Sequence, residues 1–162
     1  MTNEHRLTRE LRTLLQAQRV AALGTLGEDG APFVSMTPYS LEPGSRRIVI
    51  HVSELAAHTR NMRASPAVSL MVMQAEVPDE PVHALPRVTL DGAAQFLERD
   101  SALWNACRAA YLARFPEAEP MTQLGDFSFV AIEARGARQV AGFGAARSIE
   151  AAELQKALGA AS

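Results

Sequence analysis

From Glu4 to Gln18, the apolar residues Leu7, Leu11, Leu14 and Leu15 recur at helical spacing, with arginines and glutamates at other positions, which predicts an amphipathic helix. Arg19 to Leu26 then reads as a strand ending at Gly27-Glu28-Asp29-Gly30, where Asp-Gly favours a tight hairpin turn. Ala31 to Leu41 alternates Phe33, Ser35, Thr37 and Tyr39 against Val34, Met36 and Pro38, as a strand with two different faces requires. Pro38 places that strand near an edge or a bulge. A turn at Glu42 to Ser45 leads into a third strand, Arg46 to Val52.

Ser53 is read as the cap of a helix from Glu54 to Ala64, stopped before Pro66. Strands follow at Val68 to Met73 and Arg87 to Leu97, separated by an aperiodic loop, Gln74 to Pro86, that carries Pro78, Pro81 and Pro86. Gly92 marks a bulge or a close backbone approach. A helix from Ser101 to Arg114, a helical turn at Thr122 to Leu124 and a strand from Phe127 to Glu133 come next. Gly136 is expected to turn the chain, Arg138 to Ala141 to pair again, Phe143 to plug the barrel, and Ser148 to cap a last helix carrying Leu154 and Leu158. Short antiparallel strands interrupted by helices do not fit a doubly wound parallel sheet. They predict a mainly β fold with helices (α+β), an antiparallel barrel of six or seven strands with helices at its rim.

The 162 residues suffice for one domain. Within it, 1–18 is the N-terminal helix, 19–98 the main barrel strands, 99–125 a helical insertion, 126–147 the C-terminal strands and 148–162 the C-terminal helix. Sixteen basic against eighteen acidic residues leave a net charge of -2, so neither nucleic acid nor an anionic membrane is an expected partner. The single cysteine, Cys107, excludes an intrachain disulfide and reads as a buried helix thiol. The charged N-terminus lacks a signal-peptide core, so a cytoplasmic location is expected.

Candidate chemistry concentrates between Ile50 and Asn61. A strand feeding a helix there offers free N–H groups, with Ser53, His58, Thr59, Arg60 and Asn61 as further donors suited to a phosphate. An ordinary surface helix with an arginine and an asparagine is the alternative. His51 reads as a wall residue or a ligand, Arg87 opens its strand toward solvent or a ligand, and no third group completes a metal site with His51 and His58.

Leu23-Gly24-Thr25-Leu26, Asp29-Gly30-x-Pro32, Ser53-Glu54-Leu55-Ala56-x-His58-Thr59-Arg60-Asn61 and Ser65-Pro66-x-Val68-Ser69-Leu70 resemble, in order, the FMN-binding split-barrel proteins related to pyridoxamine 5'-phosphate oxidase. Gly142 to Ala146 resembles a segment of the haem-utilisation branch. The resemblance implies a split β-barrel homodimer with FMN in two interface clefts and a small-molecule substrate or electron donor. Ser53, His58, Thr59, Arg60 and Asn61 would hold the phosphate, Ser35, Met36 and Thr37 would line the ring, and His51, Val52 and Arg87 would lie against the cofactor. No side chain is assigned as a catalytic acid or base. Ser35 and Ser40 replace the arginine and lysine of the vitamin B6 oxidases, so a B6 phosphate is not the expected substrate. The haem-degrading relatives use a C-terminal histidine on iron, and the last histidine here is His83. An FMN-dependent oxidoreductase is the leading expectation. The alternatives are a haem-binding or haem-utilisation protein with His51, His58 or His83 on the iron, and a non-catalytic flavin-binding module.

Overall fold

The computed structural model describes residues 4–160. The amphipathic pattern of the N-terminus forms α1, Arg6–Ala17, whose Leu11, Leu14 and Leu15 enter the core. β1 (Val20–Leu26) and β2 (Pro32–Pro38) form the first hairpin, with Gly30 at φ 77 in the turn. The second predicted strand breaks at Tyr39, and the chain resumes as β3, Ser40–Glu42. Tyr39 is buried and its hydroxyl donates 2.7 Å to the Leu15 carbonyl, so the break anchors the sheet to α1.

β4 (Arg47–Ser53), β5 (Ala67–Met73), β6 (Arg87–Phe96), β7 (Phe127–Val140) and β8 (Ala146–Glu150) complete one antiparallel sheet. Its order is β2-β1-β5-β6-β7-β4-β3, with β8 also paired to β7. The sheet curls so that β2 returns towards β4, giving a split barrel filled by Leu23, Ile48, Ile50, Leu70, Leu90 and Ile132. Among the described residues no helix is long and apolar enough to cross a membrane.

Three expectations change. Gly136 does not turn the chain, because β7 runs through it, pairing with Asp91 on one side and Glu150 on the other. Ser148 lies inside β8 opposite Arg138, and the last helix, α5 (Ala151–Leu158), starts after Glu150 instead. Phe143 plugs nothing: it is 86% exposed at the tip of the β7–β8 hairpin, where Gly142 (φ 128) and Gly144 (φ 76) take conformations open to glycine.

The helical insertion, principally α3 (Ala102–Arg114) and the short α4 (Glu119–Thr122), covers the outer face of β4 and β7. Ser101 caps α3 by accepting from the Trp104 N–H. A second apolar cluster there joins Val49, Trp104, Cys107, Tyr111, Phe115 and Phe129. Burial pushes the Cys107 thiol up to about 11, as befits a packed rather than a reactive cysteine. Arg114 donates to the Leu15, Gln16 and Gln18 carbonyls at the end of α1 and to the Tyr39 carbonyl, so α3 holds the N-terminal helix in place.

Gly92 is both a bulge and a close approach, since the register shifts between Asp91 and Gly92 and a Cβ there would stand 2.6 Å from the Glu133 carbonyl oxygen. Backbone cannot yield as a flexible side chain does. Gly92→Ala is expected to cost about 2 kcal/mol of stability, within the range for overpacking, measured by urea unfolding.

Candidate functional site

The seam between β2 and β4 is occupied by α2, Ala57–Ala64. This helix starts three residues later than its sequence suggests. Ser53 belongs to β4, where it pairs with Phe127, and its hydroxyl accepts only the Leu55 N–H at 3.2 Å. The N-cap is Ala56, with no side-chain cap. Glu54 is drawn away from the helix end by Arg63, at 2.5 and 3.1 Å, and by the Ser128 hydroxyl. The Arg63 bonds, foremost, hold the Glu54 carboxyl below its usual range.

Three side chains staple α2 into the seam. The buried Thr59 hydroxyl donates to the Ser53 carbonyl at 2.6 Å, tying the helix to β4. Asn61 Nδ2 donates to Thr25 Oγ1 on β1 at 3.0 Å. His58 Nδ1 and Ser35 Oγ on β2 share a hydrogen bond of 3.0 Å in which either atom can hold the proton. Burial lowers the His58 pKa, so its imidazole is neutral at pH 7. When Nδ1 carries the proton, Nε2 keeps a free lone pair.

The structure thus brings together Ser35, Ser53, His58, Thr59 and Asn61, with the exposed Arg60 beside them and only a long 3.4 Å contact to the Leu55 carbonyl. Thr59 spends its hydroxyl proton, and Asn61 one of its two amide N–H groups, on protein acceptors. The other predicted residues lie elsewhere. Strand alternation turns Met36 outward, 65% exposed, while Ser35 and Thr37 face the barrel. Val52 is packed in the core. Arg87 donates to the Leu85 and His83 carbonyls at the far end of β6. β6 is ten residues long, which separates Arg87 from the end paired beside Ser53 by about 30 Å along the strand.

His51 lies outside the seam, on the face that α3 covers. Its ring centroid stands 4.4 Å from Phe129, 5.1 Å from Phe127 and 5.8 Å from Tyr111. Burial, with a smaller contribution from the Arg99 guanidinium, pushes it down to about 4. Spacing placed His51 on the face opposite Ile50 and Val52 but could not reveal the aromatic enclosure, because Tyr111 and Phe127 come from distant segments.

The low His51 pKa makes stability depend on pH. Between about 6.5, the usual histidine value, and about 4, the unfolded chain takes up a proton that the folded protein refuses. Stability therefore rises with pH across that window and is lost on acidification. Because the ring is partly exposed, a discounted loss of about 1–2 kcal/mol between pH 7.5 and pH 5 is expected. His51→Gln should show a correspondingly smaller loss in urea unfolding at the two pH values.

Comparison with known proteins places this geometry. The sequence profile of the pyridoxamine 5'-phosphate oxidase family matches residues 7–141. The haem oxygenase HutZ of Vibrio cholerae is 31% identical over 150 residues, covering 92% of this chain and 84% of HutZ. The non-canonical chloroplastic haem oxygenase HOZ of Arabidopsis thaliana is 36% identical over 136 residues, which cover 82% of this chain but 40% of HOZ. A haem-binding protein from Mycobacterium smegmatis superposes with a TM-score of 0.85 at 29% identity, over 94% of this chain and 61% of its own. These relatives overturn FMN as the expected cofactor, since the ligand they are named for is haem. In the seam, two of the side chains expected to bind a phosphate also bond α2 to the strands. The chain belongs to the pyridoxamine 5'-phosphate oxidase family, in the branch of its split-barrel fold that includes the haem-utilisation proteins.

Proposed function

We propose that this chain binds haem at the α2 seam and serves in haem utilisation as a haem-degrading domain. The observation that carries the reading is His58, a half-buried neutral imidazole with one nitrogen bonded to Ser35, in a chain that matches haem proteins over most of its length. A neutral imidazole whose second nitrogen is hydrogen-bonded is the donor chemistry that iron requires. His51 is enclosed by three aromatic rings and His83 is exposed in the short 3-10 turn Val82–Ala84, so neither offers an equally oriented donor. Arg60 supplies a cation for an acidic substituent of the porphyrin.

Haem, when bound, supplies the iron redox chemistry that oxidative ring cleavage needs. The chain's own part is to hold and orient. Ser35 fixes the His58 ring, and the bonds of Thr59 and Asn61 keep α2 from moving relative to the strands.

The partner in this reading is a second copy of the chain. Val20, Val34, Met36, Met71 and Met73 expose an apolar face on three neighbouring strands, β2, β1 and β5. Pro32 and Pro38 bracket the β2 edge and disfavour growth of the sheet, which leaves face-to-face pairing about a twofold axis as the way to cover it.

Two measurements test the proposal. Haemin titrated into the purified protein is expected to give a Soret band of imidazole-ligated haem. His58→Ala should lose that signature, Ser35→Ala should weaken affinity by about tenfold, and His51→Ala should retain the spectrum. Haemin uptake that ignores His58 would overturn the assignment of the ligand, and no uptake at all would overturn the function. Separately, Val34→Glu with Met36→Glu is expected to halve the mass in light scattering, whereas an unchanged mass would remove this face from the assembly.

A further inference from the structure

A cavity of about 860 Å³ lies away from the α2 seam, between α1, α5 and the turn joining β3 to β4. Glu4, Arg12, Arg46, Arg147, Glu153 and Lys156 contribute its charged walls. The two carboxylates are already matched. Glu4 takes the Arg12 guanidinium at 2.6 Å, and Glu153 takes Arg147 at 2.8 Å together with the Thr8 hydroxyl at 2.6 Å. Among the described residues, Arg46 and Lys156 have no carboxylate partner.

Arg12 is only 8% exposed, and its role as a cap for α5 accounts for part of its bonding: Nη1 donates to the Gly159 carbonyl and Nη2 to that of Lys156. That role leaves Nε buried with no acceptor. Arg147 repeats the pattern from the other wall, with Nε bonded to Gln139, Nη1 to Glu153, and Nη2 buried and unpartnered. Arg47 Nε, on β4, is the third such nitrogen among the described residues and lies outside this cavity. Buried charged donors without acceptors are rare because each carries a desolvation penalty, and here the two on Arg12 and Arg147 belong to guanidinium groups that line one cavity.

Arg46 is drawn to the same place. It adopts φ 58 in the β3–β4 turn, and its Nε lies 3.5 Å from where a Cβ on Gly159 would stand. Three guanidinium groups from α1, the β3–β4 turn and β8 therefore converge around one helix. One of them would suffice to cap α5.

We propose that this cavity binds a small molecule carrying two or more carboxylate or phosphate groups, held by Arg12 and Arg147 from within and by Arg46 and Lys156 at the mouth. The site is separate from the α2 seam and does not depend on the haem reading. Its volume admits a molecule larger than a lone phosphate, and the planar forks favour paired oxygens over a halide.

Calorimetric titration of pyrophosphate and of citrate into the haem-free protein at low salt tests this, and the two anions separate a phosphate site from a carboxylate site. At least one should bind at about one per chain. Arg147→Gln should weaken it by about tenfold or more, the loss expected for a hydrogen bond to a charged group. The double variant Arg46→Gln with Lys156→Gln, both exposed, should weaken it several-fold even if Arg147→Gln does not fold. Arg138→Gln, outside the cavity, should leave it unchanged. Absence of binding by either anion, or the same affinity in the Arg147 and double variants, would overturn the site.

Discussion

The barrel does not close between β2 and β4, and every feature of the candidate site follows from how that seam is filled. An open seam leaves strand edges and polar groups that must find partners. α2 meets the requirement with three hydrogen bonds to three strands, through His58, Thr59 and Asn61. Each contributes about 0.5–1.5 kcal/mol by itself, so the set holds a short helix whose own propensity would not. A helix of eight residues, uncapped by any side chain, is stable here because the sheet supplies what its sequence lacks.

That dependence explains what was legible in the sequence and what was not. Alternation within β2 and the leucine spacing of α1 are local signals, and both elements appear, although the strand breaks at Tyr39 instead of running on to Leu41. The start of α2 is not local. Ser53 resembles a cap in isolation, but Phe127, more than seventy positions on, pairs with its backbone and keeps it in the strand. Gly136 similarly resembles a turn until Asp91 and Glu150 pair with it on both sides. Ser148 resembles a cap until Arg138 claims it for β8. In each case tertiary pairing overrides a residue's intrinsic preference.

The site divides the same way. The cluster from Ser53 to Asn61 is contiguous, so its residues could be read together, and the structure keeps most of them together. Their partners could not be read, because Thr25 and Ser35 lie on other strands. Those partners decide the chemistry: Thr59 ceases to be a free donor once bonded to the sheet, Asn61 keeps one N–H, and the His58 ring is held by Ser35. The arginines of the second cavity come from α1, a turn and β8, and no spacing in the chain connects them.

A fold does not select its cofactor, and the split barrel illustrates why. The scaffold provides a seam with a helix across it; the side chains on that helix determine whether the seam favours a phosphate or a metal. A phosphate site needs several donors left unpaired, preferably cationic ones. A haem site needs one neutral imidazole held still, with apolar surroundings and few competing donors. In this chain the Thr59 hydroxyl and one N–H of Asn61 are spent on the strands, and burial keeps His58 uncharged. On the proposed reading, the bonds that make α2 stable as a structural element also orient His58 for metal ligation.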